Sequence, residues 1–212
     1  MKSLIGLIRV LTQTDERLIK AHGRVIMERF PSLEVVSRCI PDQPEGIHDF
    51  ETERRAIPKI ASLAQRLEKE GVHAIVISCA NDPAIRESRQ LVKIPIIGAG
   101  SAAASLASTY SGRVGVLGIT DFPPPVMTRV LGGKLIAYEK PLGVDTTLDL
   151  GGADSAIVEA GRRLIDRGAD VIALGCTGFS TIGFAEVLER ELEVRVVDPV
   201  VASGLYAFYL FL

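Results

Sequence analysis

Short unbroken runs of Val, Ile and Leu, each followed by a helical stretch, recur along the whole chain, and no other feature limits its fold as tightly. Eight such runs read as strands: residues 4–11, 33–40, 74–79, 94–98, 113–119, 134–139, 170–176 and 194–198. A strand with one wet face alternates apolar and polar residues, whereas a continuous apolar run needs cover on both faces. Helices between the runs supply that cover. Strand and helix in strict alternation imply parallel sheets with right-handed crossovers.

Punctuation between the runs supports this reading. Thr14-Asp15-Glu16 opens a helix that ends before Pro31, and a second runs from near Asp49 to Gly71, with Pro58 expected to kink it or mark its true start. Asp82 before Pro83 has the pattern of an N-cap followed by proline at the first helical position. Residues 153–167 are amphipathic and stop at Gly168, Ser180 starts another helix, and Phe122-Pro-Pro-Pro125 reads as a rigid turn into a helix. The closing apolar stretch, residues 204–212, reads as part of a buried or domain-bridging helix.

The pattern also repeats. Ala74-Ile-Val-Ile-Ser78 and Val171-Ile-Ala-Leu-Gly175 each end in a cysteine, Cys79 and Cys176, which lie 97 residues apart. The next apolar pairs, Ile96-Ile97 and Val196-Val197, are offset by 100, and residues 5–12 align loosely with 114–121 at an offset of 109. Loop-length changes in a duplicated unit give such drift, and so does general α/β grammar. The expected fold class is therefore α/β: two similar domains, pseudo-twofold related, each with a four-stranded, mainly parallel sheet. The expected domains are residues 1–98 with 199–212, and residues 99–198, with the active site in the cleft between them. Ligands of such sheets bind beyond the carboxyl ends of the strands, where both cysteines stand.

Composition removes several function classes. With 212 residues, 47% of them hydrophobic, the chain can bury substantial cores. Its net charge of −2 has no basic tract for phosphates, so no nucleic acid is expected as a partner. No run approaches the roughly 20 apolar residues of a membrane helix, and no signal region opens the chain. The expectation is a cytoplasmic protein, off the membrane, with a small-molecule substrate and with a homo-oligomer as one option. Three cysteines without a Cys-x-x-Cys form neither a disulfide framework nor a zinc set, so no metal is expected.

A thiol acts as a base only when ionised, and a nearby helix N-terminus lowers its pKa. Helix starts are expected just after Cys79 and after Cys176-Thr177-Gly178. A lone cysteine at a strand end is usually a small buried hydrophobe; two at matched positions favour function. Cys39 has no counterpart and reads as core. Opposed thiols suit a reaction that takes a proton from one face of a carbon and returns one to the other, which is racemisation or epimerisation. No lysine sits in a pyridoxal phosphate motif, so no cofactor is expected, and turn amides and hydroxyls would stabilise the carbanion.

Ser78-Cys-Ala-Asn-Asp-Pro83 with Arg86-Glu87, Ile94-Pro-Ile-Ile-Gly98, Leu174-Gly-Cys-Thr-Gly178 and Val197-Asp-Pro-Val-Val-Ala202 together resemble the hydantoin racemase branch of the aspartate/glutamate racemase superfamily. Pro44-Glu-Gly-Ile47 and Asp49 resemble that branch's substrate loop. The resemblance implies cofactor-independent two-base catalysis by Cys79 and Cys176. It places Thr12, Ile47, Ala80, Asn81, Thr120, Thr177 and Gly178 around the substrate, and the final helix back on the first domain.

Two departures bear on substrate. Where that branch resembles Asn-Pro-Asn-Thr, this chain has Arg9-Val-Leu-Thr12, and Arg9 either binds a substrate carboxylate bidentately or snorkels off the strand end. Glutamate racemases resemble Cys-Asn-Thr and Cys-Thr-His at the two thiols, and Cys79-Ala-Asn81 and Cys176-Thr-Gly178 fit poorly. The rival readings are a cis-trans isomerase or decarboxylase of a small dicarboxylic acid, and a non-catalytic small-molecule binding module. Gly98-Ala-Gly100-Ser101 reads as tight helix–strand packing rather than a nucleotide cradle. A Cys79–His48 hydrolase pair is a further alternative.

Overall fold

The computed structural model describes residues 2–212. The first four strands are β1 (Ser3–Arg9), β2 (Leu33–Cys39), β3 (Ala74–Ser78) and β4 (Ile96–Gly98), and they form one parallel sheet in the order β2-β1-β3-β4. The second sheet has β5 (Val114–Leu117), β6 (Leu135–Glu139), β7 (Val171–Leu174) and β8 (Arg195–Val197), ordered β6-β5-β7-β8, again all parallel. The two orders are one topology used twice. In each, the strand order reverses between the first and third strand, and that switch point is where an open α/β sheet leaves a crevice at its carboxyl edge.

Helices α1 (Glu16–Arg29), α2 (Phe50–Lys69), α3 (Ile85–Leu91) and α4 (Ala99–Tyr110) alternate with the strands, followed by α5 (Pro125–Leu131), α6 (Asp154–Asp166), α7 (Gly178–Thr181), α8 (Phe184–Leu192) and α9 (Pro199–Tyr209). Each sheet is covered on both faces, as its apolar runs require. In β1, Ile8 packs with Ile60 and Leu67 of α2, while Ile5 and Leu7 pack with Ile26 of α1 and Val200 and Ala207 of α9. The same alternation aims Arg9, in register with Ile5 and Leu7, towards the α1 side. The second sheet has α6 and α8 on one face and α4 and α5 on the other. Helix α9 leaves β8 and packs on α1, α4, β3 and β4, so the chain's last helix ties into the first sheet.

Three local expectations change. Pro58 neither starts nor ends α2, because Asp49 closes a capping box with Thr52 (Thr52 N to Asp49 Oδ1, 2.7 Å) and fixes the start. Asp82 does not cap α3: it has φ 55°, in the left-handed region, and α3 begins only at Ile85. Its carboxylate instead accepts from the amides of Gly100 (2.7 Å) and Ser101 (3.0 Å) and caps α4. The anion held by the Gly98–Ser101 amides is thus the protein's own, and the packing reading of that segment holds. The helix expected from Ser180 is split, with α7 ending at Thr181 and Gly183, at φ 65°, turning the chain into α8.

Candidate active site

Cys79 follows β3 and Cys176 stands two residues past β7, so the thiols occupy equivalent edges of the two sheets. Both line one cleft, with Arg9, Ile47, Ala80, Asn81, Thr120, Thr177 and Gly178. Its cavity volume of about 50 Å³ holds a few waters, which restricts ligands to small molecules. Of the residues expected around a substrate, Thr12 alone does not line it. The Thr12 hydroxyl donates to the Ile40 carbonyl (2.7 Å) and accepts from the Gln43 amide (2.8 Å), which holds the loop after β2 against the end of β1. His48 also stands outside the lining, beside Asp49, and has no hydrogen bond to Cys79 among the described residues.

Several hydroxyls and amides of the lining are already engaged. Asn81 Nδ2 donates to Glu53 Oε2 (2.8 Å), and Thr120 Oγ1 donates to the Phe122 carbonyl (2.7 Å). Thr177 Oγ1 donates to the Ser78 carbonyl at 3.2 Å, linking the residue after one thiol to the residue before the other. These bonds fix the walls rather than offering side-chain donors.

Burial pushes both thiol pKa values up from the ordinary 9.0. Of the two helix starts expected to lower them, the one beside Cys79 is absent, since α3 begins only at Ile85, and desolvation dominates because a thiolate loses its water shell in this cleft. The turn amides do act in the expected direction: Asn81 N–H on Cys79, and Gly178 N–H on Cys176 Sγ at 3.3 Å. The surroundings differ beyond that. Cys176 feels the positive charge of Arg9 and a 3.9 Å contact with the Thr147 hydroxyl, while Cys79 faces the negative charges of Glu53 and Asp82.

Sequence reading missed two groups. Thr147 reaches Cys176 from the 3-10 turn Thr147–Leu150, in a loop with no motif to flag it. His22, on α1, is buried beneath the cleft; Nδ1 is 2.8 Å from Ser78 Oγ and Nε2 is 2.8 Å from Thr181 Oγ1. It joins the residue before Cys79 to α7, the helix after Cys176. Burial, with the charge of Arg9, holds its pKa well below 6.5, so the ring is neutral. A lone histidine on a helix carries no signal of this in sequence.

Two like sheets, each ending a third strand in a thiol at a shared cleft, define an α/β enzyme of the superfamily that sequence motifs suggested. The chain belongs to the Asp/Glu/hydantoin racemase family, whose model matches residues 12–203. That makes it an isomerase of the racemase class. It is 31% identical over 176 residues to a hydantoin racemase of Pseudomonas sp. (strain NS671), covering 77% of this chain and 68% of that one. A hydantoin racemase of Rhizobium meliloti is 28% identical over 172 residues, covering 76% and 70%. In fold, the allantoin racemase of Klebsiella pneumoniae superposes with a TM-score of 0.82 at 23% identity, over 99% of this chain and 87% of that one.

Proposed function

We propose that this chain is a cofactor-independent racemase or epimerase in which Cys79 and Cys176 act as opposed acid and base on a 5-substituted hydantoin or a related amino-acid derivative. One observation carries the reading: two thiols at equivalent strand ends of two like sheets line a single small cleft. In each turnover one thiolate removes the proton from the stereogenic carbon, and the thiol across the cleft delivers its own proton to the opposite face. The carbanion's charge moves onto the adjacent carbonyl oxygen, where turn amides of the lining stabilise it. A turnover leaves the two sulfurs with exchanged protonation states.

The surrounding charges rank the two thiols, both protonated at rest. Cys176, with the positive Arg9 nearby and the Gly178 amide on its sulfur, ionises more readily than Cys79, which faces Glu53 and Asp82. The proposed lobes are residues 1–98 with 199–212, and residues 99–198. Relatives named hydantoin racemase support the substrate class.

The test is proton NMR in deuterium oxide on single enantiomers, with a reducing agent. Wild type should lose the α-proton signal together with optical activity. Cys79→Ala and Cys176→Ala should each lose net inversion while retaining exchange of one enantiomer at most. Racemisation that survives either substitution refutes the two-thiol reading.

A further inference from the structure

We infer that the cleft is built for a substrate bearing a carboxylate, held by Arg9, so that the ring-opened, acid form of an amino-acid derivative is preferred over the neutral ring. This rests on the racemase reading above and names its substrate class.

Arg9 is only 6% exposed, and it lines the cleft shared by the two thiols. Its Nη1 donates to the Leu18 carbonyl, and its other guanidinium N–H groups have no acceptor among the described residues. Nor has it an ion pair there. A guanidinium is charged at every accessible pH and presents a fork matched to a carboxylate. An arginine so placed, without a counter-ion, carries a desolvation penalty that no attraction repays.

The half-buried carboxylates of this protein, by comparison, are compensated. Glu139 is met by Arg163 (2.7 Å) and Arg167 (3.0 Å). Asp82 takes two amides of α4, and Asp198 accepts from Ser180 Oγ and Val200 N, both at 2.7 Å, and from Val201 N at 3.1 Å. Around Arg9, by contrast, the ionisable groups are Cys39, Cys176 and the neutral His22. Burial keeps both thiols protonated at neutral pH. The missing negative charge is therefore left for the ligand. Snorkelling, the alternative reading from sequence, requires a guanidinium in bulk water, and Arg9 is not there.

The experiment separates binding from turnover by using ligands without an α-proton. Calorimetric titration of the full-length protein with N-carbamoyl-α-methylalanine, a carboxylate, and with 5,5-dimethylhydantoin, its neutral ring-closed counterpart, should show the acid binding at least tenfold tighter. In Arg9→Gln that preference should vanish, and in Arg9→Lys part of it should remain. Because the substitution removes an uncompensated charge, the Tm of unliganded Arg9→Gln should equal or exceed that of wild type; a structural arginine would instead lower it. Equal affinity, tighter binding of the neutral ring, or no measurable binding of the acid by wild type each overturns the inference. The two-thiol reading stands or falls separately, on deuterium exchange with substrates that carry the α-proton.

Discussion

A single methyl group at Gly100 should nearly silence this enzyme while leaving it folded. A Cβ built there lies 1.9 Å from the carbonyl oxygen of Ala80 and 2.7 Å from its carbonyl carbon. These are backbone atoms of the residue next to Cys79, so no side-chain rotation relieves the contact. Ordinary contact begins at about 3.4 Å, and the start of α4 and the turn carrying Cys79 must therefore part by about 1.5 Å. Overpacking of this kind costs about 1–3 kcal/mol, within the roughly 5–15 kcal/mol that stabilise a typical domain. A catalytic group displaced by about 1 Å loses on the order of 10²-fold in rate. Gly100→Ala is thus expected to lower α-proton exchange by about two orders of magnitude, with a Tm fall of roughly 2–12 °C at about 2–4 °C per kcal/mol. Exchange by proton NMR and melting by circular dichroism report the two effects. Gly133→Ala, where nothing lies within 4 Å of the added methyl, is the control. Near-normal exchange in Gly100→Ala would refute the claim that this contact sets the position of Cys79.

Other consequences follow from the same geometry. His22→Phe leaves Ser78 and Thr181 without their ring partner, at roughly 1–3 kcal/mol for the buried Ser78 hydroxyl and less for the half-buried Thr181, and melting should fall accordingly. The folded-state pKa of His22 is depressed, so below about 6.5 the unfolded chain binds a proton that the folded protein refuses. Wild-type stability should therefore decline as pH falls through that value, and denaturant titrations of His22→Phe should lack this component. Both active-site thiols are raised above 9.0, so exchange should keep increasing with pH through the neutral range, and a plateau below pH 8 would contradict the burial argument. The same raised values mean that stability from the protonated thiols is present below about 9 and lost above it, a loss that Cys79→Ser/Cys176→Ser should reduce. Thr147→Val removes the hydroxyl that favours the Cys176 thiolate, and its pH–rate profile should shift upward with little change in melting.

The sequence by itself determined the eight strands, the helices that separate them and the parallel, doubly covered sheets. Apolar runs and caps act over a few residues, and their consequences are local. It also placed Cys79 and Cys176 at strand ends, since a strand stops where its apolar run stops. The tertiary structure decided what those ends meet. Asp82, an N-cap by pattern, caps α4 because the chain reverses in the left-handed region and brings its carboxylate to Gly100 and Ser101. Thr147 reaches Cys176 and His22 reaches Ser78 and Thr181 across spans that no sequence period encodes. The thiol pKa values followed the same division: a helix start was expected after each cysteine, but the late start of α3 at Ile85 and the depth of burial that raises both thiols belong to the packed structure. Arg9 shows it most plainly, because alternation along β1 fixed which face it occupies, while only tertiary packing made it a buried cation with no counter-ion among the described residues.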